Sequence, residues 1–204
     1  MEQAVGDIRS FWFGTLDPDG LAPAEKQRSW WHSSNTFDRE IETRFGEYLH
    51  RAEQGELSSW LDTPHACLAY IILLDQFSRN IYRHSERVFA NDMAARSATG
   101  HMIANNYLAQ LATAEKAFVL MPLMHSEQLQ DHNLFEQVVR QQQSIAGLSE
   151  SIIQFWSGML QAAEEHSVII KRFGRYPHRN EVLKRQSTDA ELEYLAQASR
   201  RFGQ

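Results

Sequence analysis

Three groups of side chains in this sequence could do chemistry. The first lies in LLDQFSRN, where Asp75, Gln76, Arg79 and Asn80 follow an apolar run without a break. Asp75 and Arg79 are four apart, so on a helix they share a face and can pair, holding the guanidinium fork in one orientation. Such a set either walls a polar pocket or ties helices together through an ion pair. The second group is Arg172, Arg175, His178, Arg179 and Asn180 in RFGRYPHRN. Guanidinium groups stay charged and offer flat bidentate donors that suit carboxylate or phosphate. The plainer reading is a solvated basic loop that neutralises a helix C-terminus. If this loop folds against the Asp75 helix, the two sets make one anion-accepting cleft.

The third group is the histidines. His125 stands beside Met124, ahead of a helix that Ser126 is expected to cap. It can be a pocket hydrogen-bonder or a general base, and His178 is the second candidate for that base. Together with Asp131, His132 and His166 it invites a metal reading. There is no HExxH, however, and the spacing does not supply three or four convergent ligands, so no metal is expected. No glycine-rich phosphate loop, GxSxG elbow or Cys–His pair appears, and no cofactor is implied.

These groups need positioning, and the whole chain shows how. Its 204 residues fit a single domain that can bury a sizeable core. Cys67 is the one cysteine, which excludes intramolecular disulfides and cysteine zinc sites and suits a reducing compartment; it is expected to be an inert core residue. The longest apolar stretch, residues 66–74, is about half of what a bilayer crossing needs, and the N-terminus lacks an export signature. The chain therefore reads as cytoplasmic, with no membrane partner. A net charge of -6 argues against nucleic acid, although six Lys and Arg residues crowd 171–185 with a single acid, Glu181.

Residues 68–83 read as the helix that organises the rest. Thr63 can cap it and Pro64 can occupy its first position. It is apolar all round through Leu74, as a helix in the middle of a fold must be. From Asp75 onward charged groups appear on the face that buried groups began, which describes a helix leaving a core to line a cleft. Around it, 3- and 4-residue spacings predict helices near residues 3–13, 23–31, 36–53, 92–103, 114–121, 126–145, 149–173 and 188–201. Asn35 or Thr36 is expected to cap the third of these, and Pro122 to interrupt the ladder begun at Thr113. Thr188 and Glu191 form a capping box. No stretch competes for strand status. The prediction is an all-α domain of roughly eight to ten helices in antiparallel pairs.

FWFG at residues 11–14, the Trp30-Trp31 pair, LLDQFSRNIYR at 73–83, MPLMHSE at 121–127 and FGRYPHRN at 173–180 together resemble the bacterial DUF924 family. The resemblance spans residues 1–204 as one domain and implies tetratricopeptide-like superhelical packing. It brings no catalytic residues with it, since the family name records an unknown function. Ser78 stands where the family usually has Pro, which should leave the middle of that helix straighter. Lys184 stands where Gly is common.

Two functions follow as expectations. The first is a helical binding module whose Arg-lined cleft holds a small anion or an acidic peptide. The second is a hydrolase-like enzyme using His125 or His178 as base, with the arginines steadying developing negative charge. RNA binding through residues 171–185 is a third reading, and the acidic total weighs against it.

Overall fold

Residues 64–81 form the axis of the molecule, and their burial explains the rest of the architecture. Cys67, Leu68, Ala69, Ile71, Ile72 and Leu73 are each 0% exposed in the computed structural model, which describes residues 1–32, 34–83 and 85–197. This helix, α4, begins at Pro64 as expected, although the Thr63 side chain makes no capping bond. It is α-helical over Pro64–Ile71, π-helical over Ile72–Phe77 and α-helical again over Ser78–Ile81.

Eight further helices complete the described residues: α1 (Glu2–Phe13), α2 (Ala24–Trp31), α3 (Asn35–Glu53), α5 (Asp92–Ala104), α6 (Thr113–His125), α7 (Leu129–Gln143), α8 (Glu150–Phe173) and α9 (Asp189–Gln197). There is no strand among them. α4 is wrapped by α1, α3, α5 and α6, while α5, α6, α7 and α8 pack each on the next. Short loops between neighbours give the antiparallel pairing. The N-terminal aromatic residues seal the core: the Trp12 ring meets Phe77 at 5.5 Å and Phe118 at 5.4 Å, both edge-on. Cys67 is buried and its thiol is pushed up to about 12, so it is inert.

Local signals account for most helix ends. Ser149 accepts from the Ile152 N–H to start α8, and Gly174, at φ 69°, ends it. Thr188 and Glu191 exchange the two bonds of a capping box, at 2.7 and 3.3 Å. Two boundaries differ from expectation and a third is only partly described. Ser34, rather than Asn35 or Thr36, caps α3. The final helix is described to Gln197, so the part expected out to Arg201 lies outside the described residues. Most consequentially, α6 runs straight past Pro122 to His125, with Ser126 as its C-cap and the next helix starting only at Leu129. A buried proline is tolerated where tertiary packing outweighs one lost ladder bond, and residues 117–124 of α6 are all buried.

Candidate functional site

The π stretch in α4 is where the chemistry gathers. An i→i+5 turn widens the helix and rotates everything beyond it. Ser78 sits at the end of the wide turn. Its N–H reaches back to the Leu73 carbonyl and its hydroxyl donates to Leu74 O at 2.5 Å. Asp75, set in this wide turn, is 0% exposed. It does not line an open cleft but points into the protein.

There it anchors a closed ring of hydrogen bonds. His125 Nδ1 sits 2.8 Å from Asp75 Oδ1. The His125 carbonyl accepts from Arg179 at 2.8 Å, and the same guanidinium donates to Asp92 Oδ2 at 3.1 Å. Asp92 Oδ1 accepts from Arg79 at 2.7 Å, and Arg79 returns to the Asp75 carbonyl at 2.8 Å. Gln76 adds a bond to Asp75 Oδ2 at 2.5 Å. The ring joins α4, the first residue of α5, the last residue of α6 and the 3-10 turn Pro177–Arg179. Two carboxylates face two guanidiniums, so the charges balance, with Asp75 and Arg179 buried and Asp92 and Arg79 partly exposed.

Burial alone would raise the Asp75 carboxyl, but Arg79, His125 and Gln76 outweigh it and hold it at about 2. A carboxylate that low is only an acceptor, so His125 Nδ1 is the donor of this bond and Nε2 is the ring nitrogen turned away from it. The His125 side chain is 17% exposed, and no hydrogen bond reaches its Nε2 among the described residues.

Arg179 is buried, with its guanidinium 4.3 Å from the Phe89 ring centre and 4.6 Å from that of Tyr176. Its Nε has no partner among the described residues. Tyr176 donates to Met124 O at 2.5 Å, and around its ring stand His132, His166 and His178, at 6.3, 5.8 and 5.3 Å. Burial, reinforced by Arg179, takes His178 down to about 3. Burial likewise takes His166 to about 4, against its bond to Ala162 O. Both are neutral near pH 7, and a ring that binds a proton only near pH 3 is a weak base.

Of the residues singled out from sequence, Asp75, Gln76, Arg79, His125, His178 and Arg179 thus gather here. Four others belong elsewhere. Asn80 bonds Asp38 at 2.7 Å, alongside Arg83. Asn180 bridges Ser187 and Arg185. Arg175 grips Glu191 through two bonds of 2.6 and 2.7 Å, and Arg172 lies over the Phe173 ring. Arg172 and Arg175 line a separate recess beside α9. Sequence reasoning passed over Asp92, reading it only as a helix start. One signal was available: two arginines brought to one site cannot be balanced by Asp75 alone, so a second acid was required.

A family model described as "Bacterial protein of unknown function (DUF924)" matches residues 8–199. Among solved structures, a protein of unknown function from Agrobacterium tumefaciens is similar at 28% identity and a TM-score of 0.79, covering 97% of this chain and 99% of its own. Curated proteins give no match.

Proposed function

The chain belongs to the DUF924 family of bacterial proteins of unknown function, and we propose that it is a hydrolase-like enzyme acting on a small anionic substrate, with His125 as general base. One observation carries this: His125 Nδ1 rests 2.8 Å from a wholly buried carboxylate while the ring remains 17% exposed. Asp75 fixes the tautomer, orients the ring and stabilises the imidazolium that forms when Nε2 takes a proton from water. Arg179, held by Asp92, donates to the His125 carbonyl and so fixes the backbone that carries the base. A pure anion-binding cleft has less support. The Arg79 and Arg179 guanidiniums already donate to Asp92 and to backbone carbonyls. That no described helix is long and apolar enough to cross a membrane fits the cytoplasmic placement that goes with this reading.

The test is a panel of small anionic esters, amides and phosphoesters offered to the wild type, His125→Gln and Asp75→Asn. Turnover of one class should fall by roughly 10²–10⁴-fold in His125→Gln, the usual contribution of a positioned base. Unchanged turnover in a folded His125→Gln would overturn the proposal. A ligand-induced thermal shift lost in Arg79→Ala, with no turnover of any substrate, would instead select the binding module.

A further inference from the structure

A second recess, independent of the ring, lies where the end of α5 and the turn Tyr107–Gln110 meet α6 and α7. It measures about 400 Å³, within the range of small-molecule sites. Ile103, Leu108 and Val138 give it an apolar floor, Ile145 is a half-exposed wall, and Asn106, Gln141 and Gln142 join Lys116 as polar groups on its rim. Lys116 sits in the first turns of α6, opposite the end that carries His125. Its ammonium makes no hydrogen bond or ion pair among the described residues, and it is partly buried. Ammonium groups withdrawn from water are normally paired, so a partly buried one beside an apolar floor and with no carboxylate in the recess gains from an anion that brings its own apolar body. Burial alone lowers its pKa, with no charged neighbour contributing.

We propose that this recess binds a small monocarboxylate with a short apolar chain, the carboxylate meeting Lys116 Nζ and the Gln142 amide and the chain lying on Leu108 and Val138. The two halves of the recess demand both features of the ligand. A bare anion leaves the floor uncovered, and an uncharged chain leaves the ammonium unpaired.

Titrating the 15N-labelled wild type with hexanoate, acetate and hexanol, and repeating with Lys116→Met, separates these parts. Hexanoate should give saturable shifts confined to the amides of residues 103–109, 116 and 138–145. Acetate and hexanol should each bind at least about tenfold more weakly. Lys116→Met should lose about tenfold for hexanoate and nothing for hexanol, which also reports that its recess is intact. Equal hexanoate affinity in Lys116→Met would overturn the proposal. So would acetate binding as tightly as hexanoate, or shifts centred elsewhere. The wild-type ligand comparison decides the matter even if the variant does not fold.

Discussion

At the scale of single residues, the ring depends on one buried anion. Asp75 answers His125, Arg79 and Gln76 at once, and its carboxylate is fully enclosed. Asp75→Asn keeps the shape but leaves the partly buried Arg79 guanidinium facing a neutral amide; breaking a fully buried pair costs about 3–5 kcal/mol, and this one less because Arg79 is 19% exposed and keeps Asp92. Urea unfolding at pH 7 should show a loss below that range, and a loss under about 1 kcal/mol would mean that Asp92 alone balances both arginines. The pH dependence has a definite sign. A carboxyl depressed from 3.8 to about 2 on folding contributes stability that is complete above pH 4 and lost as pH falls toward 2. Asp75→Asn should therefore narrow its deficit against the wild type only in that acid window. The arginine partners, by contrast, stay charged throughout.

At the scale of elements, sequence reading succeeded where the period was regular and failed where packing overrode it. The caps at Ser149 and Thr188 and the stop at Gly174 were legible because each is a local bond among neighbours. The passage of α6 through Pro122 was not, because the buried surroundings that offset the lost ladder bond come from distant segments. That one error placed His125 ahead of a helix rather than at the end of one. The π turn at Ile72–Phe77 was equally hidden, and it moved Asp75 from an expected cleft wall to the interior. Lys184 shows the converse, a sequence oddity that geometry explains. It adopts φ 54°, the left-handed region where glycine is at ease, at the position where the resemblance leads one to expect Gly. A side chain there costs about 1–2 kcal/mol, part of which glycine's extra unfolded freedom takes back. Its pairing with Glu86 joins side chains 78% and 59% exposed and adds little. Lys184→Gly should thus raise stability by about 0.5–1 kcal/mol in urea unfolding, and a destabilised variant would show that the Glu86 contact matters more than the backbone.

At the scale of the whole molecule, the ring and the histidines around Tyr176 clasp the C-terminal turn onto α4, α5 and α6, so the state of those histidines bears on how firmly that turn is held to the middle of the chain. His166 and His178 are depressed on folding from 6.5 to about 4 and about 3, and His132 is lowered by burial as well. Their neighbours add to this: Arg179 stands against both His166 and His178, while Glu127 partly offsets it at His178. Between those values and 6.5 the unfolded chain binds protons that the folded chain does not. Stability is then fully present above pH 6.5 and falls as pH drops, by at most about 1.4 kcal/mol per pH unit for each group, and by less because both rings are partly exposed. The decline should begin well above the range in which Asp75 or any other carboxylate titrates. Urea midpoints measured from pH 7.5 to 4.5 should slope downward in the wild type and flatten in His166→Gln/His178→Gln. A wild-type midpoint constant to pH 5 would show that these rings take up protons without loosening the clasp, which then rests on the bonds of Arg179 and Tyr176.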